Sequence, residues 1–404
     1  MRKLILVVLA IGALVAAVAI YLTATTPRRS VPLRFPLDEP KRRLLAAVPP
    51  AAEAFALIPA AAALDAKLRA NPVTRQPVEE WSEGQSLPRA WMLGGADLVA
   101  WRAERGVAYG VKLDRLRALL LRGYFYFTGQ KDGLILLDGS ANNPVGELAL
   151  TAGLPEGDAL VVQRQESRGA YPPISRPAAT SLKVTPAEIV IVSRARSGAP
   201  RGAPPFLAAP EAGSAGAPSF PAGAMLSAWF SEPPAVTGDL GRIFGTNLSA
   251  LLRRGGSIIL YEVDTGTLLP RPRGLIVIPA DPETRAAVAR IARVASMVGE
   301  VREEGERILI SFDGASMGRY RAETLVPGSW PATEWAARAD PRRLVPVLEE
   351  LGDSRALRLA TPRLYRSIRD LRRWIRNLAA ADSIEAARTT TGDLEELSVR
   401  IRTK

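Results

Sequence analysis

Gly314-Ala315-Ser316-Met317-Gly318 has the G-x-S-x-G spacing that can raise a serine nucleophile on a turn between a strand and a helix. Such a serine needs a general base, and in that arrangement the base is an imidazole. The chain contains no histidine. Arg319-Tyr320-Arg321 does not begin an obvious helix either, so the segment reads as a turn that ends a strand over 307–316. Asp138-Gly139-Ser140 reads the same way. Ser181 and Lys183 could form a dyad that needs no histidine. They stand two apart on a predicted strand, without the helical Ser-x-x-Lys spacing, and are read as structural.

Cysteine is absent as well, which removes disulfides, thiolate nucleophiles and cysteine or histidine zinc sites. No imidazole switch near neutral pH is available. There is no G-x-x-x-x-G-K-[ST] loop, no G-x-G-x-x-G after a strand and no D-x-D-x-D-G loop. No cofactor is expected, and a metal would have to sit among oxygens alone. Paired carboxylates can hydrolyse glycosides without histidine. The acidic pairs here, Glu79-Glu80, Glu349-Glu350 and Glu395-Glu396, are sequence neighbours. Neighbours on a helix diverge by about 100°, so these pairs are expected on solvated helix faces and turn ends. Asn247-Leu248-Ser249 matches the glycosylation triplet, but inside a predicted helix.

The segment 361–378 is the most distinctive. Thr361 can cap a helix and Pro362 suits its first position. Leu364, Ile368, Leu371, Ile375 and Leu378 recur at helical spacing and form one apolar stripe. Arg363, Arg366, Arg369, Arg372, Arg373 and Arg376 cover the remaining surface, with Asp370 the single acid. The stripe predicts a helix packed on the second domain. The arginines predict an anion-binding face, because guanidinium forks grip phosphate in two places. Arginine is common throughout: lysine occurs only at 3, 41, 67, 112, 131, 183 and 404, against 53 Lys plus Arg in total.

The elements that must carry these residues begin with a membrane segment. Leu4 to Leu22 is an unbroken apolar run of 19 residues after Met1-Arg2-Lys3. At about 1.5 Å per residue it spans the ~30 Å hydrocarbon core. Tyr21 sits where an interfacial aromatic belongs, and Pro27-Arg28-Arg29 ends the helix. A cleaved signal peptide has a shorter apolar region and a better small-residue site than Leu22-Thr23-Ala24. Residues 1–26 are therefore expected to be an uncleaved anchor in the inner (cytoplasmic) membrane, with the body on its periplasmic side. Lys plus Arg number 53 against 41 Asp plus Glu, a formal net charge of +12. Nearby anionic lipid or an envelope polymer suits that charge. Nucleic acid is the poorer partner, since the charge is spread widely and no nucleic-acid fold signature occurs.

Behind the anchor, residues 27–44 read as a linker, 45–196 as a first domain, 197–220 as a Pro/Gly/Ala linker and 221–404 as a second domain. The two domains read as copies. Pro50-Ala51-Ala52-Glu53-Ala54-Phe55 opens the first and Pro221-Ala222-Gly223-Ala224-Met225-Leu226 the second. Each opening strand is followed by a helix, Ala62–Leu68 or Leu240–Arg253. Two strands come next, 97–103 with 108–113, or 257–263 with 274–278. A helix follows each pair, Arg115–Leu121 after Asp114 or Pro282–Val298 after Asp281, and then another strand, 133–140 or 307–316. Hairpins close both copies, Thr180–Val184 with Glu188–Arg194, and Ser383–Arg388 with Leu397–Arg402. In the last strand Leu397, Val399 and Ile401 alternate with Ser398, Arg400 and Arg402, which predicts one face in the core and one in solvent. Equivalent positions recur at about 170 residues, the mark of a duplication.

On these openings and this order, the chain resembles a group of bacterial single-span proteins of unknown function with a duplicated α+β ectodomain. The resemblance implies membrane anchoring and no known enzyme activity, and it assigns no functional residue. The expected fold is α+β: a transmembrane helix and two similar domains with mainly antiparallel sheets. The expected function is non-enzymatic, a membrane-anchored binding or scaffold protein of the envelope, with an envelope protein as a further partner. The alternatives are a lipid carrier and a carboxylate-based glycan hydrolase.

Overall fold

The computed structural model describes residues 32–84, 97–103, 106–111, 118–119, 134–136, 146–164, 177–196, 218–231, 255–266, 270–294, 299–331, 334–354, 358, 365 and 378–403. Within them the chain is α+β with mainly antiparallel sheet. Among the described residues no helix is long and apolar enough to cross a membrane. The Leu4–Leu22 run lies outside them, as do 197–217 of the second linker, the expected helix Leu240–Arg253, and all of Arg115–Leu121 except Ala118 and Leu119. The chain divides into two units, Met1–Pro186 with Ile191–Arg196, and Ala187–Val190 with Ser197–Lys404.

In the first unit, helix α1 (Glu39–Leu45) is capped by Asp38, whose Oδ1 accepts the Lys41 N–H at 3.0 Å. Its Leu44 and Leu45 are buried, and the Leu33 N–H donates to the Gly157 carbonyl at 2.7 Å. Residues 33–44, expected as linker, are thus built into this unit, because their leucines find a core to enter. Then come β1 (Ala54–Ile58), α2 (Ala61–Ala70), α3 (Pro72–Gly84), β2 (Leu98–Ala103), β3 (Gly106–Val111) and β4 (Leu134–Leu136). A 3₁₀ turn (Gly146–Thr151), β5 (Ala159–Gln163), β6 (Ala178–Val184) and β7 (Glu188–Arg196), of which Ile191–Arg196 belongs here, complete the unit.

The strand order is β7-β6-β5-β1-β2-β3-β4, with β3 and β4 parallel. Strand β1 organises the core. Phe55 pairs with Trp101 on one side and Val162 on the other, and Leu57 with Val99 and Leu160. All six are buried, each burial stabilising by roughly 1.5–3 kcal/mol over exposure. Strand β5 was not expected from sequence: Ala-Leu-Val-Val-Gln has no period of two, and its pairing on both edges makes it a strand. Buried Asn71 starts α3, accepting the Val73 N–H at 3.0 Å and donating to the Thr185 carbonyl at 2.8 Å.

The second unit contains β8 (Ser219–Pro221), β9 (Leu226–Phe230), β10 (Gly256–Asp264), β11 (Arg271–Pro279), α4 (Pro282–Val294), β12 (Glu300–Glu304) and β13 (Arg307–Ser311). It continues with α5 (Ser316–Ala322), β14 (Leu325–Pro327), β15 (Trp335–Ala339), α6 (Pro341–Asp353), β16 (Ser383–Thr391) and β17 (Leu394–Arg402). The main sheet runs β12-β13-β11-β10-β9-β15-β16-β17, and β8 pairs with β14 apart from it.

Both faces of this sheet are covered, which explains the continuous apolar run Leu275–Ile278. Ile276, Ile278, Ile308 and Ile310 pack with Val288 of α4. Leu275, Val277, Leu309 and Tyr261 pack with Met317 of α5 on the other face. Gly274 is required where β10 bulges: a Cβ there would lie 2.1 Å from the Ile259 carbonyl oxygen.

Two helices start by one device. Asp281 Oδ1 accepts the Glu283 and Thr284 N–H groups at 2.9 and 3.0 Å, and Oδ2 accepts the Thr284 hydroxyl at 2.7 Å. Asp313 does the same for Ala315, Ser316 and the Ser316 hydroxyl, at 2.9, 2.8 and 2.5 Å. This corrects the expectation for 314–321. The strand ends at Ser311 and a helix begins at Ser316, nucleated by Asp313 rather than by apolar periodicity.

The closing hairpin is present, turning at Gly392 with φ 62°. Its alternation is not the expected one. Glu395, Leu397 and Ser398 are all buried, and residues 399–402 are all half-buried, because β17 is covered on both faces. Strand β15 was also missed: Trp-Ala-Ala-Arg-Ala has no β-branched residue and becomes a strand by pairing between β9 and β16.

Candidate functional site

The register of four strands places Ser227 of β9, Arg338 of β15, Glu385 of β16 and Arg400 of β17 side by side. Directly paired residues project to the same face, here the α5 face. Arg402 lies two residues beyond Arg400 and projects with it. The Ser329-Trp330 segment, which follows β14, covers them.

Glu385 is the hub and is buried, its side chain only 4% exposed. Its Oε1 lies 3.3 Å from Arg338 Nη1 and 3.3 Å from Arg402 Nη1. Its Oε2 accepts the Ser329 N–H at 3.2 Å and the Ser329 hydroxyl. Ser329 Oγ in turn accepts Arg400 Nη1 at 3.0 Å and Arg402 Nη2 at 3.5 Å. The Arg400 guanidinium lies 4.9 Å from the Trp330 ring centroid, and its Nε is 3.5 Å from Glu188, which belongs to this unit. Trp330 itself packs against Phe220, Ala336 and Ala387. Two guanidinium groups thus meet the Glu385 carboxylate directly, and a third, that of Arg400, joins it through the Ser329 hydroxyl and lies beside Glu188.

The ion-pair contacts of Arg338 Nη1 and Arg400 Nε do not have hydrogen-bond geometry. Both atoms are buried without a hydrogen-bond partner, and so is Ser227 Oγ in the same row. Arg338, Arg400 and Arg402 are 21, 26 and 42% exposed, so the cluster is inner at Arg338 and open at Arg402.

The opposite face of the same strands carries the inverse arrangement. Arg388 lies between Glu334 at 2.8 Å and Glu395 at 2.7 Å, and the Thr390 hydroxyl donates to Glu334. All three charged groups are buried. Glu395 is therefore not on a solvated turn end as expected, and Glu396 points to the other face of β17. Glu79 meets Arg75 at 3.3 Å and Glu350 accepts from Thr265, as ordinary surface acids do.

Burial raises the pKa values of Tyr261 and Asp97, both outside this cluster. Burial foremost, then the Glu323 carboxylate, pushes the Tyr261 phenol above its usual range. Burial also raises Asp97 above the usual aspartate value, with Asp38 adding to the rise and Lys41 opposing it. The Ala60 backbone N–H bonds to Asp97, and Ala60 stands at φ 48°, a left-handed conformation costing a non-glycine residue roughly 1–2 kcal/mol. Among the described residues no three acidic side chains gather to hold a metal ion.

Arg363, Arg366, Arg369, Arg372, Arg373 and Arg376 lie outside the described residues, as does Asn247. Ser316 is 1% exposed and its hydroxyl is spent on Asp313, so it is a helix-start residue rather than a presented nucleophile. Ser181 is buried and donates to the Pro155 carbonyl at 2.9 Å, while Lys183 is exposed. Sequence reading missed Arg338, Arg400 and Arg402 as a group. The available signal was the pair of arginines two apart on a strand, read there as a solvent face.

Comparison with protein-family models, with curated proteins and with solved structures finds no match to this chain.

Proposed function

We propose that the chain is a membrane-tethered binding or scaffold protein, held in the inner membrane by Leu4–Leu22 with its two units outside the cytoplasm. One observation carries this reading. Nineteen consecutive apolar residues behind a basic N-terminus find their solvation in a bilayer and not in water. The reading includes a non-enzymatic role, supported by the absence of histidine and cysteine and by the structural use of Ser316 and Ser181. It also includes the anion-binding face of Arg363–Arg376, toward lipid head groups or an envelope polymer.

Duplication belongs to the same reading, and strand order supports it. From its closing hairpin inward the first unit runs β7-β6-β5-β1-β2-β3, and the second runs β17-β16-β15-β9-β10-β11. In each, the first strand of the unit's main sheet lies near the middle and a late strand returns beside it. The copies differ at the far edge, where β4 is parallel to β3 but β13 is antiparallel to β11 and extended by β12.

Membrane fractionation with protease accessibility tests the tether. The full chain stays in the membrane after alkaline extraction and its body is cleaved only from the extracytoplasmic side. Removal of Leu4–Leu22 releases it. A full chain recovered in the soluble fraction would sink the reading.

A further inference from the structure

We propose that the Arg338–Arg400–Arg402 cluster of the second unit is a binding site for a phosphoryl-bearing anion. This goes beyond the tethering just proposed and stands whether or not the chain sits in a membrane.

The argument is one of unmatched donors. Each guanidinium offers five N–H groups and accepts nothing. Inside the cluster the acceptors are Glu385, the Ser329 hydroxyl and, at the outer side of Arg400, Glu188. Glu385 already receives two arginines through one oxygen and Ser329 twice through the other. Arg338 Nη1, Arg400 Nε and Ser227 Oγ still have no hydrogen-bond partner. Unsatisfied buried donors are costly, and those on a charged group most of all. Those two nitrogens are enclosed and lie at 3.3 and 3.5 Å from Glu385 and Glu188, so an incoming acceptor meets the more open Arg402 and the exposed part of Arg400, where three guanidinium groups stand against two carboxylates. One ligand with several oxygens can meet several forks, which a tetrahedral phosphoryl group does and a two-oxygen carboxylate does less completely.

The scaffold is rigid where it must be. Arg338 and Arg400 stand on paired strands rather than on loops, and the Arg400 guanidinium lies over the Trp330 ring at 4.9 Å. Arg402, the most exposed of the three, is the point of entry. Glu385 sets the geometry of the empty cluster and competes with the ligand for Arg338 and Arg402.

Isothermal titration of the full chain in neutral detergent tests this. The probes are inorganic phosphate, pyrophosphate and dihexanoyl-phosphatidylglycerol, with dihexanoyl-phosphatidylcholine as the zwitterionic control. The expected result is binding that weakens about tenfold or more in Arg400→Gln/Arg402→Gln, since each lost charge-assisted bond contributes on that scale. The same binding survives Arg366→Gln/Arg369→Gln/Arg373→Gln/Arg376→Gln. Phosphate or pyrophosphate binding with that mutational signature identifies a free anion as the ligand. Binding of the phosphatidylglycerol alone, with the same signature, identifies a lipid head group. Glu385→Gln provides a second test that keeps all three arginines, and it tightens binding severalfold by removing the competitor. No binding by the unmodified chain overturns the proposal. So does binding lost only with the 366–376 arginines, or an affinity unchanged or weakened in folded Glu385→Gln.

Discussion

Ala56, Val161, Thr180 and Ser193 form a row across four strands of the first unit, β1, β5, β6 and β7. Ser227, Arg338, Glu385 and Arg400 form the row on the strands that match these in order in the second, β9, β15, β16 and β17. The first row ends in a hydroxyl pair, Thr180 and Ser193, 2.6 Å apart, each satisfying the other. The second gathers guanidinium groups around one carboxylate and leaves donors over. The same strand order therefore supports a closed neutral surface in one place and a charged cluster in another. Topology supplies positions, and the side chains in the row decide what those positions do.

Strands β15 to β17 repeat the contrast through the thickness of the sheet. On one face two acids hold one arginine; on the other two arginines meet one acid directly and a third reaches it through Ser329. Replacing Arg388 by Met tests the first most severely, because it strands Glu334 and Glu395 in a buried site. The expected loss is about 3–5 kcal/mol in a urea titration. A loss well under that would show that Arg388 does not hold the two acids in place. Glu385→Gln has a smaller expected effect, about 1–3 kcal/mol, because glutamine keeps an acceptor oxygen and the arginines reach solvent. Added phosphate should raise the melting temperature of Glu385→Gln more than that of Arg388→Met, which keeps the three arginines but also the competing Glu385 carboxylate. Equal responses would erase the distinction between the two faces.

Asp97 in the first unit is the third case, an acid for which burial outweighs its nearby lysine. Its folded pKa is raised, so the protonated form is favoured in the fold. The stability it contributes is complete below its ordinary value of 3.8 and is lost as pH rises through the raised folded value. Asp97→Asn should therefore match the parent protein in acid and exceed its stability at neutral pH, by less than the changes above. Urea midpoints at the two pH values check this. A variant less stable than its parent at neutral pH would mean that the Asp97 charge is compensated after all.

Much of the fold was legible because it is local. Gly274–Ile278 and Arg307–Ser311 are apolar runs bounded by turn residues, and Asp281-Pro282-Glu283-Thr284 announces a helix by its own capping chemistry. Asp313-Gly314-Ala315-Ser316 carries the same capping pattern and was read instead as a turn, since a seven-residue helix leaves little periodicity to see. The site was hardly legible. Glu385 and Arg400 face each other across the closing hairpin that the sequence predicts, but Arg338 stands on a strand formed only by pairing on both edges, and nothing near it predicts the other two.

Composition determined by itself that no imidazole or thiolate chemistry can occur here, since residue types need no folding to be counted. Local spacing determined most strands, the hairpins and one capped helix start, because those depend on neighbours in sequence. The tertiary structure alone decided which strands have partners on both edges, and so that Trp335–Ala339 is a strand at all. It also decided which charges lose water together. Burial and pairing are properties of surfaces brought into contact, and in this chain that contact turns scattered arginines into a cluster with donors to spare.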